Sequence, residues 1–350
     1  LNEYLSSQTN SSIAYSRSWK GTPISLSANI QHSQNSNDGT IALSLPNVVF
    51  NVSRIFPFKR KVVVGKERWY EKIAMTYKAQ LGNTIQTTEK ELFTKQTLYK
   101  FRNGVQHSLP ISASFNLFGY ITVSPSVNYN ERWYFRRINK SWNDSTSTIV
   151  SDTTRSFYRV YDYNASISAN TTLYGLYRFR NPKGYLKALR HTINIGVSGS
   201  VAPDFSREKY GYWKTIQATA DGKTLTYSPY SAEMYGVPSS GRTAAMSLSL
   251  AQTLEAKVRS TTDTSGMKKV KIIDDFSFNL SYNFLADSMK LSTIPVRFRS
   301  SIIPNFGINI SFVLDPYEVD KVKGVRYDKL MILRGIPVAS HRPVGRAAIP

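Results

Sequence analysis

The side chains most able to do chemistry are thinly spread in this sequence. His32, His107, His191 and His341 are its four imidazoles, and none stands in an HExxH or comparable ligand spacing. A transition-metal site needs several His, Cys or carboxylate ligands converging on one point, so no metal site is expected. The histidines read instead as polar residues near strand ends. Cysteine is absent, which removes thiolate ligands and disulfides together. Asp274 and Asp275 are adjacent, and on a strand they would point to opposite faces rather than share a proton. There is no GxSxG turn and no P-loop, and serine is too abundant for any Ser–His spacing to carry information. No catalytic residue and no cofactor are therefore expected, and the chain reads as a non-enzyme.

Charge is the stronger signal. Forty-five Lys and Arg face 23 Asp and Glu, a formal net charge of +22, so the natural partner is a polyanion. The cations cluster at Lys59 to Lys61 with Lys66 and Arg68, at Arg136, Arg137 and Lys140, at Arg178, Arg180 and Lys183, and at Lys268, Lys269 and Lys271. A guanidinium fork matches a phosphate well, which makes Arg136, Arg137, Lys140, Arg178 and Arg180 candidates for lipid-phosphate contacts. A solvated rim that keeps charge out of hydrocarbon is the plainer reading of the same clusters. Nucleic acid is disfavoured, because no recognisable binding module accompanies the charge.

These residues must be carried by strands. Apolar and small polar residues alternate with period two along most of the chain, which sends successive side chains to opposite faces. Ile24, Leu26, Ala28 and Ile30 oppose Ser25, Ser27, Asn29 and Gln31, and the rhythm recurs at 111–117, 121–135, 158–174, 193–197, 246–250, 276–284 and 306–314. About a dozen strands are expected. The fold class is all-β, an antiparallel transmembrane β-barrel present in part, with the barrel segment over 1–335 and an irregular tail over 336–350.

The choice of a membrane barrel over a soluble β-sandwich rests on the polar face. Sandwiches turn many Lys and Glu outward, whereas mid-strand polar positions here are mostly Ser, Thr and Asn, as in a hydrated lumen. Ser114, Asn128, Ser166 and Asn279 are then lumen-facing candidates, and Ile195, Leu248, Phe278 and Ile310 lipid-facing ones. Rings gather near strand ends, so Trp69, Tyr70, Trp133, Tyr134 and Trp213 are expected at the headgroup level. No run of about 18 apolar residues exists to make a spanning helix. Connections at 83–98, 136–157 and 204–241 are expected to be long and on one side of the sheet. Those at 20–22, 118–120 and Pro304 are expected to be short and on the other, with 54–68 and 261–271 as longer exceptions. Asn37, Asp38 and Gly39 carry turn chemistry. Pro46, Pro110 and Pro125 fall inside strands, where each removes a ladder donor; locally weakened pairing and an edge or bulge position with no transport role are the two readings.

Several strings then resemble a known family. Leu43-Ser44-Leu45-Pro46, the stretch Phe50 to Lys59, and Gly65-Lys66-Glu67-Arg68-Trp69-Tyr70-Glu71-Lys72-Ile73 are similar to the lipopolysaccharide-assembly proteins LptD of Bacteroidetes-type bacteria. Gln106 to Ile111, Ser114 to Phe118, Asn130 to Phe135, Leu189-Arg190-His191, Pro203 to Ser206, Tyr210-Gly211-Tyr212 and Ala286-Asp287-Ser288 follow in the same order. The resemblance covers about Ser25 to Tyr317, and the sequence, opening at Leu1 within patterned residues, reads as an internal fragment of such a protein. It implies an outer-membrane translocon component that inserts lipopolysaccharide into the outer leaflet, with a plug lipoprotein of the LptE type and periplasmic bridge proteins as partners. Gate residues do not transfer, because the strands that carry them lie outside the match. A porin, a nutrient-uptake barrel and a soluble β-sandwich adhesin are the alternatives that the residues alone leave open.

Overall fold

The computed structural model describes residues 8–62, 64–92, 94–180, 184–261, 266–303, 306–319 and 326–330. The tail over 336–350, Lys183, His341 and the turn at Pro304 lie outside them.

The chain is all-β and antiparallel, as the alternation predicts. Its strands are β1 (Gln8–Ser18), β2 (Ile24–Asn35), β3 (Thr40–Ile55), β4 (Ala74–Thr88), β5 (Arg102–Ser112), β6 (Phe115–Leu117), β7 (Ile121–Asn143), β8 (Thr148–Arg178) and β9 (Leu186–Ala202). They continue with β10 (Lys214–Gln217), β11 (Thr224–Tyr227), β12 (Thr243–Arg259), β13 (Met267–Asn283), β14 (Ile294–Ile303), β15 (Phe306–Leu314), β16 (Tyr317–Val319) and β17 (Arg326–Leu330). Among the described residues one short α-helix, α1 (Lys95–Lys100), follows β4. Thirteen strands share one sheet in the order β1-β2-β3-β4-β5-β7-β8-β9-β12-β13-β14-β15, with β6 beside β7. The order follows the sequence, so neighbours are joined by hairpin-like connections, and among the described residues the path is open and not closed on itself.

Contacts divide the chain into two units. The first holds 1–113, 126–165 and 202–242, and the second 114–125, 166–201 and 243–350.

In the first unit the registers align Val48, Leu81, Val105 and Trp133 across β3, β4, β5 and β7. The next row is Val49, Gln80, Gln106 and Arg132. Cross-strand partners share a face, so these rows are the two sides of the sheet. In the second unit Leu250, Phe278, Val296 and Phe312 form one row across β12 to β15, and Ala251, Ser277, Arg297 and Ser311 form the next. The period-two pattern thus becomes an apolar face and a polar face by pairing alone.

Three expectations need correction. The 111–117 pattern is not one strand: β5 stops at Ser112, and Ala113 and Ser114 separate it from β6. Residues 136–157 are not a long loop, since β7 and β8 run on to a turn over 144–147, where the Asn143 side chain accepts from the Ser145 amide at 3.0 Å. Polar residues fall on both faces of that extension, with Ile138, Trp142, Ile149 and Val150 scattered among them, so the alternation fades there. Residues 83–88 likewise prolong β4.

The prolines sit at ladder interruptions. Pro46 lies in the register shift between Ser44 and Val48, Pro110 opposes Asn128 where the β4–β5 pairing skips two positions, and Pro125 lies where β7 exchanges β6 for β5 as its partner. The turn at Asn37 to Gly39 forms as expected, with the Asp38 carboxylate accepting from the Thr40 amide at 3.0 Å and Gly39 at φ +66°.

Candidate functional site

The densest side-chain chemistry lies in the first unit, where the connection over 203–242 folds onto β7 and β8. Asp204 staples the two ends of this connection: its Oδ1 accepts from the Ser206 amide at 2.8 Å, the Ser206 hydroxyl at 2.6 Å and the Gly241 amide at 3.0 Å. These donors, led by the Ser206 hydroxyl, hold its carboxyl below the usual range. Between the staples, β10 and β11 make a small hairpin.

The connection then packs as a tyrosine cluster. Tyr134, Val160, Phe205, Tyr212 and Tyr230 form its buried heart, with the Tyr134 and Tyr230 rings stacked at 5.7 Å and Tyr158 edge-on to Tyr230 at 5.9 Å. Each buried phenol needs a partner, and most find backbone. Tyr134 donates to the Gly236 carbonyl at 2.5 Å, and Tyr235 to the Gln80 carbonyl at 3.1 Å. Burial pushes the Tyr212 and Tyr235 hydroxyls up to about 12, so both are neutral donors or acceptors at any ordinary pH. Tyr235 and Met234 occupy the space over Gly82, where an added Cβ would lie 2.1 Å from the Met234 sulfur.

Charges are matched under the cluster. Arg136 donates to Glu233 at 2.9 Å, with the Glu233 side chain wholly buried. Arg132 pairs with Asp162 and also donates to the Tyr235 carbonyl at 3.0 Å. Asn130 reaches Asp162 at 3.0 Å, and Asn128 reaches Asn164 at 2.9 Å, so the same face continues as a line of amides. Beside it a cavity of about 520 Å³ is lined by Ser44, Thr84, Gln86, Lys100, Arg102 and Arg136 among others. Lys100 is engaged by Glu91 at 2.5 Å, while Arg102 has no ion-pair partner among the described residues.

On the opposite face of β7 and β8, Glu131 accepts from Arg159 Nε at 2.7 Å, from the Trp133 indole at 2.7 Å and from the Tyr129 hydroxyl. Nothing in local patterning announces this network, because it crosses strands.

In the second unit the polar face forms a cavity of about 530 Å³ among Asn170, Thr172, Asn194, Ser249, Ser277, Asn279 and Arg297. Gly196 is needed here: a Cβ would meet the Ser249 hydroxyl at 2.5 Å and the Asn170 carbonyl oxygen at 2.7 Å. Asn279 pairs with Ser249 on this face, while Leu248, Phe278 and Ile310 lie on the apolar one. Ile195, next to Gly196, turns to the apolar side by alternation. Ile310 is 50% exposed, so this unit leaves large apolar groups uncovered.

The remaining sequence candidates scatter. Ser114 is exposed between strands, and Ser166 is half-buried on β8. Trp69 and Tyr70 lie in a short 3-10 turn before β4, with Trp69 exposed. Trp133 is on the apolar side, but Tyr134 departs from its expected place at the headgroup level: it is 0% exposed beneath the tyrosine cluster. Adjacent strand residues face opposite ways, so both rings could not share one girdle. Trp213 also belongs to the folded connection, its indole donating to the Pro238 carbonyl at 3.1 Å. Arg136 is held by Glu233, Arg137 lies 4.8 Å over the Tyr158 ring, and Lys140 lies 5.5 Å over Tyr227. Arg178 and Arg180 are exposed at the end of β8. Among the described residues no group of His, Asp and Glu could hold a metal ion.

No curated protein matches this sequence. The sequence model of the LptD protein family matches residues 1–317. An all-β antiparallel sheet, with segregated faces and, among the described residues, no helix long and apolar enough to cross a membrane, is compatible with that match. The chain belongs to the LptD protein family, whose members serve lipopolysaccharide transport and assembly at the outer membrane.

Proposed function

We propose that these strands are part of the wall of an outer-membrane β-barrel that inserts lipopolysaccharide into the outer leaflet. The supporting observation is the pair of rows in the second unit: Leu250, Phe278, Val296 and Phe312 on one face, and Ala251, Ser277, Arg297 and Ser311 on the other. A lipid-facing surface and a hydrated lumen require that division. Acyl chains gain about 0.8 kcal/mol for each buried CH₂, while sugars would lose hydrogen bonds in hydrocarbon. The polar faces therefore suit the sugars, at Asn128 in the first unit and at Ser166 and Asn279 in the second, and the apolar face of the second unit, with Ile195, Leu248, Phe278 and Ile310, suits the acyl chains. Arg102 and the cavity beside it suit the phosphates of the headgroup. A plug of the LptE type and periplasmic bridge proteins would complete the path, and energy must come from outside this segment, which has no nucleotide motif.

Photo-crosslinking tests this reading. A photoreactive residue at Asn128 or Asn279 is expected to label lipopolysaccharide sugars, and one at Ile310 to label phospholipid. Depleting the protein should reduce lipopolysaccharide at the cell surface. Unchanged surface lipopolysaccharide with lost uptake of a small solute would favour a porin or uptake barrel instead.

A further inference from the structure

The connection between β3 and β4, residues 56–73, is folded around one buried carboxylate. Glu71 is 2% exposed and accepts from Arg60 Nε, from Arg60 Nη2 at 3.0 Å and from the Arg68 amide at 2.7 Å. The same guanidinium reaches forward to the carbonyls of Val64 at 3.4 Å and Lys66 at 3.3 Å. Gly65, at φ +82°, lets the backbone turn back between them. Arg60 therefore fixes the tip of the connection from inside.

What this frame displays outward is apolar. Phe58 is 57% exposed, Val62 76%, Val64 77% and Trp69 67%. Such residues on a pinned tip are held in contact with whatever surrounds them. Cations are interleaved with them: Arg54, Lys59, Arg60, Lys61, Lys66, Arg68 and Lys72 stand against two acids, Glu67 and Glu71. Both acids are already in ion pairs, with Lys59 and Arg60. Arg54, Lys61, Lys66 and Arg68 have no acidic partner among the described residues, and Arg54 and Lys59 both lie over the Phe56 ring, at 5.1 and 5.7 Å.

We propose that residues 56–73 form a foot that rests in the headgroup layer of the membrane beside the barrel, with anionic phospholipid as its occupant. The inference rests on the membrane-barrel reading above. Apolar tips enter the acyl boundary while Lys and Arg keep their charges at the phosphates, which is how interfacial segments bind. A surplus of cations with no acid to spare suits a surface of repeated negative charge. A protein partner would have to bring its own acidic patch.

The chain has no cysteine, so one introduced thiol can be labelled uniquely. The full chain carrying Val64→Cys with an environment-sensitive fluorophore is reconstituted into vesicles of phosphatidylethanolamine, with and without phosphatidylglycerol. Val127→Cys, on the apolar face of β7, serves as the strand control. The Val64 label is expected to shift to the blue and to be quenched by brominated lipid at least twofold more when phosphatidylglycerol is present. Added salt and the double change Lys61→Glu and Lys66→Glu should erase that preference, with quenching at position 127 unchanged. A quenched label at 127 with a water-exposed label at 64 in every vesicle overturns the foot and leaves the barrel standing. No quenching at either position removes the membrane reading and the foot with it. A shift at 64 that appears only when a periplasmic protein extract is added overturns the lipid occupant in favour of a protein.

Discussion

Arg136 on β7 and Glu233 on the long connection meet at 2.9 Å although 97 residues separate them in the chain. The pair ties the tyrosine cluster to the sheet, and one carboxylate oxygen of Glu233 is buried with no further partner among the described residues. Burial raises the Glu233 carboxyl above its ordinary range even with Arg136 beside it.

Removing the cation should therefore do more harm than neutralising the acid. Arg136→Ala leaves a buried carboxylate unpaired and is expected to destabilise docking of 203–242 by about 3–5 kcal/mol. Limited proteolysis would report it as faster cleavage within 204–241. Glu233→Gln should keep the connection docked. Because the folded-state pKa is raised, docking is favoured below the ordinary glutamate value of about 4.3 and weakens as pH rises through the raised one. Glu233→Gln should abolish that dependence.

Glu71 has the opposite sign. The Arg60 side chain first, and the Arg68 amide next, lower its carboxyl to about 2. Its contribution is complete above the ordinary glutamate value and is lost as pH falls toward 2. Hydrogen exchange of 60–71 should stay protected at pH 5 and rise steeply in stronger acid. Glu71→Gln should show high exchange at both.

Gly82 tests the packing over β4. Leucine there would occupy the place of Met234 and the Tyr235 hydroxyl, displacing the connection without touching an ion pair. Cleavage within 204–241 should rise as it does for Arg136→Ala, while heat-modifiable migration of the strands on a denaturing gel stays normal.

Phe278 and Asn279 are neighbours on opposite faces of β13. If the apolar face meets lipid, Phe278→Arg should cost about 2–4 kcal/mol near the bilayer centre, and Asn279→Arg far less. Refolding into vesicles measures both. Equal costs would contradict the assignment of faces.

Much of the sheet was legible because burial on one side writes a period of two into the sequence. Ile24 to Gln31 and Phe306 to Leu314 lie within strands, and the Phe276 to Phe284 pattern does so up to Asn283. The β7–β8 extension was not, since polar residues such as Asn139, Lys140, Ser141, Asp152 and Thr153 fall on both faces. Tyr134 misled for a related reason: a ring near the end of an apolar pattern looks interfacial until a distant segment covers it. That segment did carry a signal of its own. Tyr210, Tyr212, Tyr227, Tyr230 and Tyr235 are more rings than a solvated loop of this length needs. The Glu131–Arg159 and Arg136–Glu233 pairs join residues 28 and 97 apart, so no local window contains them.

The tyrosine hydroxyls of the long connection also occupy main-chain groups. Tyr227 accepts from the Lys140 amide at 2.7 Å and donates to its carbonyl at 3.2 Å, the Ile138 amide meets the Pro229 carbonyl at 2.9 Å, and the Tyr161 amide meets Tyr212 at 3.0 Å. Among the described residues β7 has no β5 partner beyond Tyr134, so the contacts at Ile138 and Lys140 cover a rim that would otherwise be free to template another chain. Excising the connection should therefore yield self-associating protein through strand addition along Lys140, a failure of solubility rather than of folding.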